Sequence, residues 1–165
     1  GVSPWTVLAQ GISFQTHLSI GVTTFLVSVV VLIFWYPLKQ KPGLGTILNI
    51  ILISIIIDLS IPILPYPEIF LYQIIQSIIA VFIVGLGSGF YLTANLGPGP
   101  RDGLMTGLQL LTNQPISLIR TFLEISIVLI GFYLGGIVGL GTLLFAFGIG
   151  PAVSFGIFIV IKFFK

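Results

Sequence analysis

Ten side chains in this sequence carry formal charge: Asp58, Glu68, Asp102 and Glu124 against Lys39, Lys41, Arg101, Arg120, Lys162 and Lys165. Any chemistry must be built from these, from the single histidine, His17, and from scattered hydroxyls and amides. There is no cysteine, which excludes a disulfide, a thiolate metal site and a Cys nucleophile. One histidine excludes a multi-His metal site. No nucleophile–base set and no metal cluster can be assembled, so neither an enzyme nor a cofactor is expected.

Two constellations remain. Arg120 and Glu124 are four residues apart and share a face if the segment is helical. Glu124 falls near the middle of an apolar stretch, a depth where an ionisable group is costly and usually faces a cavity or a partner. Two readings stay open: a solute or proton site, and an ion pair along one helix that cancels its own cost. On either, removing Glu124 alone is expected to harm folding more than removing both, because Arg120 would be left uncompensated.

The second constellation is Gly97-Pro98-Gly99-Pro100, which cannot be regular helix and leads into a helix start carrying Arg101 and Asp102. Free N–H groups and the positive dipole end suit an anion there. Transporters built from inverted repeats place such breaks beside their solutes. The competing reading is a tight turn in the headgroup region. Asp58, in the outer third of its segment, either pairs with the Arg120/Glu124 face or approaches the interface. The candidate solute-binding residues are therefore Arg101, Asp102, Arg120, Glu124, Asp58, Gly97 and Gly99.

Other polar and small residues read as structural. His17 is expected to be an interfacial cap. Trp5, Trp35 and Tyr36 suit an aromatic belt. Gly85, Gly87 and Gly89 lie within an apolar stretch with no lysine following, so they read as a helix-packing seam, not a phosphate loop.

The elements that must position these residues follow from composition. Of 165 residues, 56% are hydrophobic and only 6% charged, with a mean hydropathy of +1.22; a soluble domain is about 25% charged. The reading is an all-α integral membrane protein, one transmembrane domain over 1–165. Long segments are expected at Leu18 to Tyr36, Leu44 to Leu64, Ile69 to Ala94, Pro115 to Leu134 and Leu140 to Ile161. Two short helices, Pro4 to Gln15 and Pro100 to Leu111, each open with proline, which suits a first helical position. At about a dozen residues they cannot cross the hydrocarbon core, so they are re-entrant or interfacial.

At a fixed offset of 96, without gaps, Gly1, Pro4, Leu8, Gly11, Thr16 and Ile20 meet identical residues at Gly97, Pro100, Leu104, Gly107, Thr112 and Ile116. Gly43 to Thr46 meets Gly139 to Thr142, and thirteen of 53 positions from Gly1 to Ile53 are identical. Apolar bias alone would give roughly five. The expected architecture is two inverted-topology repeats, each of a long helix, a short helix and two long helices. Repeat 1 covers about 1–64 and lacks its first helix; repeat 2 covers about 69–163. The sole methionine is Met105, so a helix lost upstream of Gly1 is expected.

Cations set the orientation. With the Lys39/Lys41 loop in the cytoplasm and the second repeat inverted, all six cations fall on or near that side, as the positive-inside rule requires. In the intact protein both termini are expected to be cytoplasmic. The pI near 9.1 thus reflects topology, and no nucleic acid is expected.

Gly1 to Trp5, Leu96 to Leu108, Arg120 to Glu124, Leu134 to Gly136, Gly139 to Thr142 and Ile149 to Pro151 resemble motifs of the YczE-like bacterial membrane proteins, grouped loosely with the YyaS and YitT proteins. The resemblance covers essentially the whole chain and implies a multi-pass inner-membrane protein whose relatives start with one further hydrophobic helix. Thr6 departs from it, standing where many relatives are expected to carry an acidic residue. The resemblance implies little about activity; the inverted repeat points to a small secondary transporter or exporter of a small solute, and the helix start at Arg101 suits an anionic one. The alternative is a non-transporting scaffold or assembly factor. The expected partners are the lipid bilayer, a small solute and, in a homo-oligomer, further copies of the chain.

Overall fold

The computed structural model describes residues 1–65 and 67–164, and among these every regular element is helical. The helices are α1 (Pro4–Thr16), α2 (Ile20–Trp35), α3 (Leu44–Ser60), α4 (Phe70–Thr93), α5 (Pro100–Thr112), α6 (Ile116–Tyr133) and α7 (Leu140–Phe164). By length and hydropathy, α4 and α7 are long and apolar enough to cross a membrane, and α1 with α2 forms a third unit bent by 113°. α3 is a shorter apolar helix.

Local chemistry explains the boundaries. α1 begins at Pro4 behind Ser3, whose hydroxyl accepts the Thr6 N–H at 3.3 Å, an N-cap that satisfies one orphan donor. α1 ends at His17, which takes a left-handed conformation (φ 59°) and returns its N–H to the Ser13 carbonyl at 2.8 Å. The capping role expected of His17 is thus carried by its backbone. α2 starts after Ser19, which caps the Val22 N–H. α3 gives way at Ser60, earlier than the sequence segment ending at Leu64. Pro62 offers no N–H there, but the chain stays coiled, with Leu64 N–H reaching the Ser60 carbonyl at 2.9 Å.

α4 packs chiefly on α7, α1 on α6 and α2, and α2 on α3 and α5. On α4, Gly85 lies against Ala152 and Gly89 against Gly156, so close that a Cβ at either would overlap the α7 backbone. Gly87 has nothing within 4 Å of its would-be Cβ. The expected seam is therefore Gly85 and Gly89 alone, one turn apart, and Gly87 lies off it.

Contacts between the two halves recur at the same offset of 96. Trp35 packs on Gly103, and Gly131 packs on Val7 and Leu8. Gly107 meets Leu38 and Gln40, while Gly11 meets Leu134 and Gly136. Gly97 abuts Gly43 and Thr46, while Gly1 abuts Gly139 and Thr142. Backbone detail follows suit: Asn113 repeats the left-handed cap of His17 (φ 54°). The Gln40 N–H to Trp35 carbonyl bond recurs as Gly136 N–H to the Gly131 carbonyl.

Candidate functional site

The break between α4 and α5 positions the site. Asn95 (φ 53°) and Gly97 (φ 111°) both leave the right-handed region. For residue 97 that conformation suits glycine, and a Cβ would also strike Gly43 at 2.9 Å. The loop is pinned to the start of α3. Gly45 N–H donates to the Leu96 carbonyl at 2.8 Å, and Thr46 Oγ1 donates to the Pro98 carbonyl at 2.7 Å while accepting the Gly43 N–H. Thr46 is fully buried, so its hydroxyl satisfies groups the irregular backbone would otherwise leave bare in an apolar medium.

Trp35 holds the start of α5 from the other side. Its ring is 1% exposed, lies on Gly103, and donates Nε1–H to the Pro100 carbonyl at 2.9 Å. This corrects its assignment to an aromatic belt: a helix-end tryptophan looks interfacial in sequence, but here a glycine on α5 makes a slot for it. Tyr36, at 88% exposed, remains free for that role.

Arg101, Asp102 and Glu124 come together at the start of α5. Arg101 Nη1 lies 3.8 Å from Glu124 Oε1, and Arg101 Nε lies 3.8 Å from Asp102 Oδ1. Asp102 also accepts a hydrogen bond from the Tyr91 hydroxyl of α4. Glu124 is 5% exposed, and neither carboxylate oxygen has a hydrogen-bond partner. The partner of Glu124 within 4 Å is thus Arg101, across helices, and not Arg120 along its own helix. Spacing four apart permits an intrahelical pair, but both side chains can also reach other elements. Arg120 remains within electrostatic range of Arg101, Asp102 and Glu124.

Of the two candidate glycines, Gly97 packs on Gly43 and Thr46, and Gly99 borders the cluster. Around Gly99 stand Asn49 of α3, Asp102 and Tyr91, each 3.4–3.5 Å from a would-be Cβ. Asn49 and Tyr91 were not singled out from sequence. An amide and a phenol inside apolar segments were the available signal, but only the tertiary fold carries them to α5.

Asp58 does not join the cluster. It sits at the start of α2, accepting from Ser19 Oγ at 2.5 Å and from the Gly21 N–H at 2.7 Å. A carboxylate there meets free N–H groups and the positive end of the dipole. Its partner lies 37 residues away, so the pairing was invisible locally.

A groove of about 360 Å³ between α4 and α7 is lined by Ile78, Val81, Phe82, Leu144 and Phe155 among others. Its walls are apolar and offer nothing to orient a polar solute, whereas a second cavity, of about 240 Å³, is bordered by Gln73, Ser77, Gly139 and Gly141.

The family of unknown function DUF6198 matches residues 1–157. An uncharacterized protein of Haemophilus influenzae is 46% identical over 162 residues, covering 98% of this chain and 74% of the relative. The uncharacterized membrane protein YczE of Bacillus subtilis is 30% identical over 95% of this chain and 74% of its own. YyaS of the same organism is 29% identical over 87% and 74%. No solved structure matches. With the family matching residues 1–157 and YczE 30% identical over 95% of the chain, this chain belongs to DUF6198, the YczE-like membrane proteins.

Proposed function

We propose that this protein is a small secondary transporter of the bacterial inner membrane, moving a small solute that bears an anionic group. The observation that carries the reading is the charge cluster itself. In a chain with 6% charged residues, Arg101, Asp102 and Glu124 meet at a break between helices. Arg120 lies within range. Such a cluster is costly inside an apolar medium, and ionisable residues at that depth characteristically mark solute or ion pathways.

The same reading takes the two halves as inverted repeats. The exchange of contacts at offset 96 supports a two-fold relation between the halves, and the cation pattern favours an axis in the membrane plane over one along the normal. On this reading the Lys39/Lys41 loop is cytoplasmic, and the clustering of cations on one side supports it. Cysteine-accessibility labelling is clean in a chain with no native cysteine. Gln40→Cys is expected to react with an impermeant reagent only after the membrane is opened. Labelling from the periplasm in intact cells would sink the inverted arrangement.

Transport is tested in proteoliposomes with a panel of labelled small organic acids and amino acids. Wild-type protein should move at least one compound, and Arg101→Gln, compared per unit of folded protein because it is also destabilised, should reduce that flux by about tenfold or more. Absence of flux across the whole panel would reject transport and favour an assembly factor.

A further inference from the structure

Resting on the transport reading above, we infer that α4 and α7 are its moving part: a rigid pair that rocks against the other five helices, with Tyr91 as the latch.

The pair is tightly joined within itself. Gly85 lies against Ala152 and Gly89 against Gly156, each too close for a Cβ. The contact advances in the same direction along both helices, so α4 and α7 run parallel. Backbone approach along small residues is what holds helices together in lipid, where no hydrophobic drive acts between them.

Its joins to the other helices lie at opposite ends. At the start of α7, Gly139 and Gly141 meet Gly1, and the Ile137 N–H donates to Gln10 Oε1 of α1 at 3.3 Å. At the end of α4, the Leu96 and Pro98 carbonyls accept from Gly45 and Thr46 of α3. Because the helices are parallel, the start of one and the end of the other are the two ends of the pair. A body held at two points keeps one rigid-body freedom, rotation about the line between them. The cavity of about 240 Å³ beside Gly1 leaves room for movement at the first of these points.

The first half shows a helix that is fastened. α3 takes the place of α7 at the offset of 96, and Asp58 clamps it to the start of α2 through Ser19 Oγ and the Gly21 N–H. Gly21 is so close that a Cβ would overlap the Ser54 carbonyl. Hydrogen bonds to a carboxylate are among the strong ones. In the second half, Asp58, Ser19 and Ser54 are replaced by Ser154, Pro115 and Gly150. Pro115 has neither a hydroxyl nor an N–H. Ser154 returns its hydroxyl to the Gly150 carbonyl of its own helix at 3.1 Å, and nothing lies within 4 Å of a would-be Cβ at Gly150. Among the described residues α7 accordingly packs chiefly on α4 and not on α6.

The Tyr91 hydroxyl joins α4 to the charge cluster by donating to Asp102. Release of that bond lets α4 swing away from Arg101, Asp102 and Glu124. Rocking of one bundle against another is how carriers built from inverted repeats alternate access.

The test is pulsed dipolar spectroscopy on spin-labelled protein in lipid nanodiscs, using cysteine pairs in a chain that has no native cysteine. Ile56 of α3, Ile83 of α4, Leu129 of α6 and Phe147 of α7 are all exposed and suit labels. The pairs 83/147 and 56/129 should each keep one narrow distance. Tyr91→Phe should raise a second, minor population of the 129/147 distance by about tenfold or more, since a hydrogen bond to a charged group is lost. If that variant folds poorly, Asp102→Asn, which weakens the same bond from the other side, decides. A 129/147 distance as narrow as the internal ones and unmoved by the substitution would overturn the rocking pair. So would a 83/147 distance that broadens in step, because α4 and α7 would then move separately. Flux in proteoliposomes with a motionless pair would overturn this inference and leave transport standing. A moving pair in a protein that carries none of the panel would overturn transport and leave the motion standing.

Discussion

Arg101→Gln is expected to destabilise the protein by about 3 kcal/mol, and adding Glu124→Leu to it should recover most of that loss. The reason is the asymmetry of the pair. Glu124 is 5% exposed with no hydrogen bond to either oxygen, whereas the Arg101 side chain is 24% exposed and keeps Asp102 beside it. Removing the arginine leaves a buried carboxylate without its partner, a class of change that typically costs about 3–5 kcal/mol. Removing the carboxylate in favour of an apolar side chain of similar size leaves an arginine that still has a counter-ion and some access to solvent. Glu124→Leu alone should therefore lie within about 1 kcal/mol of wild type. Unfolding midpoints in detergent for the two singles and the double give the comparison. This order differs from that expected of an Arg120–Glu124 pair, where loss of the acid is the worse lesion. If Glu124→Leu proves worse than Arg101→Gln, or the double is no better than Arg101→Gln, the cross-helix pairing is wrong.

The second large effect concerns the α4–α7 seam. Gly89→Ala should lower stability by about 2–3 kcal/mol, at the upper end of overpacking costs, while Gly87→Ala should be neutral or slightly stabilising. A Cβ at residue 89 falls 2.7 Å from the Gly156 carbonyl oxygen and from the Ile157 nitrogen. These are backbone atoms, which cannot rotate away as a side chain can. The helices must separate, and α7 is the main neighbour α4 has. At residue 87 a Cβ meets nothing within 4 Å, and alanine is the better helix former by about 0.5–1 kcal/mol. Protease resistance and thermal unfolding of the two variants, side by side, measure the difference. Equal effects would mean that the seam does not run along Gly85 and Gly89.

The sequence by itself determined much of the architecture, because the signals involved are local. Low charge and high hydropathy place the chain in a membrane. Pro4 and Pro100 open short helices, since the missing proline N–H would have no partner at that position in any case. All seven helices of the described residues are legible from proline, glycine and apolar run lengths, with starts within two residues of those read directly. The offset of 96 is equally legible, as it rests on glycine, proline and threonine, which shape the backbone.

Tertiary structure alone decided which charges meet. Glu124 could pair four residues back or with another helix, and helical spacing does not choose between them; the approach of the α5 start does. Asp58 reads as an interfacial acid or a partner of the Arg120/Glu124 face until α3 is laid against α2, where Ser19 and the Gly21 N–H claim it. Trp35 reads as interfacial until Gly103 opens a slot for its ring. Asn49 and Tyr91 gain meaning only when α3 and α4 bring them to Gly99. In each case the physical reason is the same. Local propensity depends on a residue and its near neighbours, whereas a buried polar group is satisfied by whatever the fold places within about 3 Å, from any distance along the chain.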